Sequence, residues 1–112
     1  MDVQIFASPA VVGFNQFSQW LHLAAVVDGE RRRVVHYVNG KAVSRHALTH
    51  PPPYRVGAAE LGNWNPGEIP NKPPFLIRHF SGAMDEFTLF DRALSDADIQ
   101  ALYAEGKPLP DL

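Results

Sequence analysis

The dipeptide Asn39-Gly40 constrains this chain more than any other feature, because it separates Arg33-Val34-Val35-His36-Tyr37-Val38 from Lys41-Ala42-Val43-Ser44-Arg45, two runs that read as strands. A two-residue type I′ turn needs positive φ at both central positions, and Asn followed by Gly meets that need at least cost. The pair therefore predicts a tight antiparallel hairpin. Upstream, residues 20–27 (Trp-Leu-His-Leu-Ala-Ala-Val-Val) are apolar on nearly both faces and end at Asp28-Gly29. That pattern predicts a central strand buried on both sides, then a turn, and so a three-strand meander.

Beyond the meander, His50-Pro51-Pro52-Pro53 cannot donate to a ladder and reads as a connection. Residues 54–61 offer one short strand that ends at Gly62-Asn63. Residues 64–74 hold Pro66, Pro70 and Pro73 before Pro74 itself, the signature of a long surface loop. A last strand-like run spans 80–90 and begins at Gly82, with Ala83, Asp85, Phe87 and Leu89 on one face and Met84, Glu86, Thr88 and Phe90 on the other. The terminal segment reads as a helix. Ser95 is its N-cap, Asp98 the capping-box partner at N3, and Leu94 a staple onto Ile99. Ile99, Leu102 and Tyr103 share a face, and Gly106 followed by Pro108 supplies the stop. About three turns of helix are marginal alone, so this face must dock on the sheet.

A length of 112 residues fits a single domain over residues 1–112, with one core. The apolar share of 46% and charged share of 20% are those of a globular chain, and no apolar run reaches the roughly 18 residues a membrane span needs. Net charge is −2 and basic residues are dispersed apart from Arg31-Arg32-Arg33, which reads as a solvated hairpin tip. No broad electropositive face is available for a phosphate backbone, so nucleic acid is not an expected partner. With no cysteine, disulfide and thiolate chemistry are excluded. Met1-Asp2-Val3-Gln4-Ile5 lacks the basic and apolar regions of a signal peptide, while Val3, Ile5 and Ala7 alternate like a strand already under way. On that reading the chain is a fragment of a longer protein.

Two blocks in register carry a family resemblance. The first is Trp20-x-His22-Leu23-Ala24-x-Val26-x-Asp28-Gly29 leading to Tyr37-Val38-Asn39-Gly40-Lys41-x-Val43. The second is Leu61-Gly62-Asn63 leading to Gly82-Ala83-Met84-Asp85-Glu86-Phe87 and on through Leu94-Ser95 to Tyr103. Together they resemble the C-terminal portion of the laminin G-like, concanavalin A-like jelly-roll domains of bacterial secreted and surface proteins. The resemblance implies an all-β, antiparallel β-sandwich with a short C-terminal α-helix lying outside the last strand. Family domains carry several strands before the Trp-x-His-Leu-Ala strand, whereas only residues 2–18 precede it here, so the sandwich is expected to be truncated at its N-terminus. A shortage of strands would leave residues 20–27 at a sheet edge without the lysines, prolines or bulges that guard natural edges, which predicts a homodimer closed through residues 2–27.

The candidate sites follow from the same blocks. The resemblance implies that Asp85, in the family's Gly-x-x-Asp-Glu strand, helps hold a structural calcium ion, which needs six to eight oxygens; the competing reading has Asp85 or Glu86 bracing a loop backbone or Arg92. Asn63, Trp64 and Asn65 have the chemistry of a sugar site: an indole face for a pyranose, and amides for its hydroxyls. Against that stands a purely structural role, with Trp64 plugging the end of the sandwich. No catalytic residue is expected. Asp85 and Glu86 are adjacent on a strand and point to opposite faces, the Glu-x-Asp-x-x-Glu pattern of related glucanases is missing, and the five histidines lack metal-ligand spacing. His22 reads as a core or interface position. The resemblance thus implies a non-catalytic module of an extracytoplasmic bacterial protein that recognises a glycan or a protein surface. A structural or oligomerising domain, such as the C-terminal part of a FecR-like regulator or envelope protein, is the alternative, and a glycoside hydrolase comes last.

Overall fold

The computed structural model describes residues 12–16, 18–55, 59, 61–64 and 78–106. The expected N-terminal strand around Val3 to Ala7 and the proline-rich loop from Asn65 onward lie outside the described residues. Two units are distinguished, one from residues 1–54 and 90–112, the other from residues 55–89.

The first unit opens with a 3-10 turn, Phe14–Gln16, and contains β1 (Leu23–Asp28), β2 (Arg33–Val38), β3 (Lys41–Ala47) and the helix α1 (Asp96–Gly106). The strands form an antiparallel sheet in the order β1-β2-β3. Asn39 and Gly40 have φ of 50° and 77°, so the two-residue turn adopts the conformation their chemistry predicts. Their neighbours Val38 and Lys41 pair directly. One irregularity interrupts β2–β3: His36 pairs with Ser44 and Tyr37 with Ala42, which leaves Val43 as the extra residue of a bulge.

The register places Ala24, Val26 and Asp28 opposite Tyr37, Val35 and Arg33, so these residues share one face of the sheet. That face carries the core. Val26, Val35 and Tyr37 pack with Leu94 and Ile99 from the helical segment, and Ala24, Ala42 and Leu102 close the margin. Helix α1 begins as its local chemistry requires. The Asp98 amide donates to Ser95 Oγ and the Ser95 amide to Asp98 Oδ2, each at 3.1 Å, a reciprocal capping box. Ile99, only 2% exposed, is the side chain the helix buries most fully. Docking also explains why the turn needs glycine a second time: a Cβ on Gly40 would lie 3.1 Å from Tyr103 Cδ2.

Two expectations for β1 are corrected. The strand begins at Leu23 and not at Trp20, which is exposed, because the chain at His22 is held by a side chain: the His22 amide donates to Asn39 Oδ1 and the Asn39 amide to the His22 carbonyl. Nor is the strand buried on both faces, since Leu23 is 66% and Val27 50% exposed. Among the described residues β1 is an edge strand, with α1 covering only the opposite face.

The second unit contains a two-residue ladder, β4 (Asn63–Trp64) with β5 (Arg78–His79), in which Asn63 pairs with His79 and Trp64 with Arg78. The short strand expected over 54–61 is not formed at the described positions there. Gly62, at φ 76°, turns the chain just before the ladder, and its carbonyl accepts from the Phe80 amide. The run 80–90 is likewise not a strand. Glu86 has φ of 55°, outside the β region, and its amide donates to Asp85 Oδ1 instead of to a neighbouring strand.

Candidate functional site

The residues expected to bind a sugar are placed only in part. Asn63 and Trp64 occupy the β4 backbone, while Asn65 lies outside the described residues. Asp85 is exposed, and its Oδ1 accepts the Glu86 amide at 2.9 Å, so the carboxylate braces its own loop. No group of three or more His, Cys, Asp or Glu side chains that could hold a metal ion occurs among the described residues. Asp85 and Glu86 do not form an opposed carboxylate pair, because one turns back on the other's backbone.

A site that sequence reasoning missed lies in the first unit. A cleft of about 310 Å³ opens between the start of β2, the inner face of β1 and the first turn of α1. Its floor is apolar, made by Val26, Val35 and Leu94. Around the rim stand Asp28, Arg31 and Arg33 on the sheet side and Tyr37, Ser95 and Asp96 toward the helix.

Most of these polar groups are already committed. Asp28, 5% exposed, uses Oδ1 to accept the amides of Glu30 and Arg31 and Oδ2 to accept Arg31 Nη1 at 3.0 Å. The Arg31 amide, then its guanidinium, hold the Asp28 carboxyl below the usual range. Asp28-Gly29 is therefore more than a turn signal, since the side chain builds the turn. Tyr37, 3% exposed, donates its hydroxyl to Asp96 Oδ1. Burial, reinforced by that carboxylate, pushes the phenol up to about 12. Asp96 Oδ2 lies 4.0 Å from Arg45 Nη2. Ser95 is engaged in the cap.

Arg33 is the exception. It pairs with Asp28 in the strand register, yet both Asp28 oxygens are spent on Arg31 and the turn. Arg33 Nε is buried with no hydrogen-bond partner. The expectation that Arg31-Arg32-Arg33 is a solvated tip holds for the exposed Arg31 and Arg32 and fails for Arg33, which belongs to β2 and is half-buried. Alternation along β2 does put Arg33, Val35 and Tyr37 on one face, so part of the cleft was legible. The helix N-terminus that completes it comes from about 60 residues further on, which no local pattern announces.

On the other face His36 shares a hydrogen bond with Ser44 Oγ at 2.8 Å, and its ring meets that of His46 edge to face at 5.5 Å between centroids. Burial, then the neighbouring His46, lower the His36 pKa. His22 is half-buried with its ring 6.1 Å from that of Tyr103, in keeping with a packing position.

Comparison with known proteins places this geometry in context. Residues 6–100 match a laminin G-like family model described as the concanavalin A-like lectin/glucanases superfamily. No curated protein matches the chain. Among solved structures, the chain is similar to an S-layer domain-containing protein (residues 221–444) from Clostridium thermocellum ATCC 27405, with a TM-score of 0.65 and 24% identity. The match covers 86% of this chain and 43% of that one, so the chain spans less than half its length. At that identity the likeness speaks for the fold alone.

Proposed function

This chain belongs to the concanavalin A-like lectin/glucanases superfamily as a laminin G-like domain, and on that premise we propose that it is a non-catalytic binding module that recognises a glycan from an extracytoplasmic position in a bacterial protein. The family match over residues 6–100 is the observation that carries the reading. The carboxylates that would be the first suspects for glycoside hydrolysis support it. Such enzymes need a pair flanking one bond, roughly 5 to 9.5 Å apart, and Asp85 is turned onto the Glu86 amide instead. No helix of the described residues is long and apolar enough to cross a membrane.

Asn63, Trp64 and Asn65 are proposed as one ligand contact, the indole supplying an apolar face for a sugar ring and the amides partners for its hydroxyls. A glycan array probed with the intact chain and with Trp64→Ala tests this. Binding that disappears in the variant supports the contact, and no binding to any glycan by either protein overturns the reading.

A second reading, a structural or oligomerising domain, is favoured by one observation: Leu23 and Val27 are exposed on β1, which is an edge strand among the described residues. Such an edge invites pairing with a second copy. Sedimentation at several concentrations, with no ligand bound, distinguishes a dimer from a monomer.

A further inference from the structure

A groove at the Asn39-Gly40 end of the first unit has a one-sided chemistry. It measures about 500 Å³, within the range of small-molecule sites, and has Gln16, Lys41 and Gln100 at its polar margin. No carboxylate lines it among the described residues. In the cleft between β2 and α1, by contrast, Asp28 and Asp96 stand against Arg31 and Arg33. Lys41, the charged group of the groove, is exposed and takes part in neither the Arg31–Asp28 nor the Arg45–Asp96 ion pair. Its positive charge is therefore unanswered among the described residues and open to solvent.

The amides beside it offer donors. A backbone N–H needs an oxygen opposite it, and that requirement fixes which way two of these amides are turned. Gln16 Oε1 accepts the Gly13 amide and Asn39 Oδ1 the His22 amide, each at 2.9 Å. Gln16 Nε2 and Asn39 Nδ2 are left over as donors, and neither belongs to the buried atoms without a partner, so both meet solvent. The bare turn brings in a further amide: a Cβ on Gly40 would lie 3.4 Å from Gln100 Cα, and the exposed Gln100 side chain stands at the rim. Val38 and Val43, the extra residue of the bulge, supply an apolar wall.

An ammonium beside two N–H2 groups calls for acceptor oxygens, one of them negatively charged. A peptide fits this poorly. It brings an N–H for each carbonyl, and the Gln16 and Asn39 oxygens that would take them are occupied. The hydroxyl, ring and anionic oxygens of an acidic sugar can all accept, and its C–H face suits the valines. As a compact point charge, an ammonium serves a carboxylate and a sulfate ester alike.

We propose that this groove binds an acidic sugar residue of a glycan, its carboxylate or sulfate on the Lys41 ammonium and its neutral oxygens on the Gln16, Asn39 and Gln100 amides. The inference deepens the binding-module reading and rests on it, at a site made of residues other than Asn63, Trp64 and Asn65.

The test uses the whole chain, with calorimetry and the side-chain N–H2 resonances of Gln16 and Asn39 in NMR. The probes are tetragalacturonate, its fully methyl-esterified and therefore neutral counterpart, and a κ-carrageenan tetrasaccharide. At least one acidic oligosaccharide should bind about tenfold more tightly than the neutral ester, a difference of roughly 1.4 kcal/mol, and should shift both resonances. Whichever acid binds more tightly identifies the anionic group as carboxylate or sulfate. Lys41→Met should abolish the preference. Arg32→Asn, which removes a positive charge at the other end of β2 and suits the φ of 51° there, should leave it unchanged. The resonances are read in the native chain, so the test stands even where Lys41→Met does not fold. Affinity for both acids no greater than for the ester, unmoved Gln16 and Asn39 signals at saturation, a preference that survives Lys41→Met, or tighter binding of tetraglutamate overturns the proposal. Neutral-glycan binding that depends on Trp64 and ignores Lys41 overturns it too, yet leaves the binding-module reading intact.

Discussion

Replacing Ser95 by alanine removes one hydroxyl from the surface and should measurably weaken the whole first unit. Ser95 Oγ accepts the Asp98 amide, one of the four amides that an α-helix leaves without an internal partner at its N-terminus. Both residues are exposed, so in the variant that amide turns to water and is not buried without a partner. The cost should therefore lie near the middle of the range for such caps, about 1 kcal/mol. It should not approach the 2–5 kcal/mol of an emptied core position, because Leu94 and Ile99 keep their places against Val26 and Val35. In urea, with a slope of about 2 kcal/mol per molar, the midpoint should fall by roughly 0.5 M, and Tm by about 4 °C. Ser95→Asn keeps an acceptor and should match the parent. The pH dependence adds an internal check. The Ser95 amide, then its hydroxyl, hold the Asp98 carboxyl below its ordinary value of 3.8. A depressed carboxyl stabilises the fold above that value and stops doing so as pH falls through the lowered one, so part of the gap between parent and Ser95→Ala should close in acid. Identical urea midpoints for the two proteins at neutral pH would refute the capped helix start.

Other expectations follow from single contacts. Gly40→Ala places a Cβ at φ 77° and 3.1 Å from Tyr103 Cδ2, and should cost about 1–3 kcal/mol in chemical denaturation; an unchanged midpoint would mean that helix and turn are not in contact. In an absorbance titration Tyr37 should ionise at about 12, and Tyr37→Phe should remove that step. Because the phenol is raised in the folded state, the unfolded chain loses its proton first, and stability should decline as pH climbs from about 10 toward 12. Calcium held by Asp85 would raise Tm by mass action, and Asp85→Asn should cancel the rise; a shift that survives the substitution moves the ion elsewhere.

How much of this molecule was legible in its sequence depends on the distance over which each feature is determined. The Asn39-Gly40 turn and the Ser95 cap were read correctly because their energetics are local: a positive φ at two adjacent residues, and hydrogen bonds across three positions. The same holds for β2, whose bounds match the run from Arg33 to Val38, and for the family, whose blocks are strings of such local demands. The 80–90 segment shows where that reasoning ends. Its alternation is real, but a strand is defined by the neighbour that takes up its amides, and here the Glu86 amide is taken by Asp85. The proposed sugar contact at Asn63, Trp64 and Asn65 rested on residue chemistry, and the proposed calcium position at Asp85 on the family resemblance. The placement of Asp85 could not be read in either way, since it faces its own loop only once the backbone turns at Glu86. The Arg33 cleft depended wholly on tertiary structure. Pairing in register set Arg33 beside Asp28, the turn withdrew Asp28, and docking of α1 brought Asp96 to Tyr37 across 59 positions of chain. Sequence periodicity says which face a side chain occupies, but only the assembled sheet and helix decide whether a partner is waiting there, because the competing partners come from elements that no local interaction links.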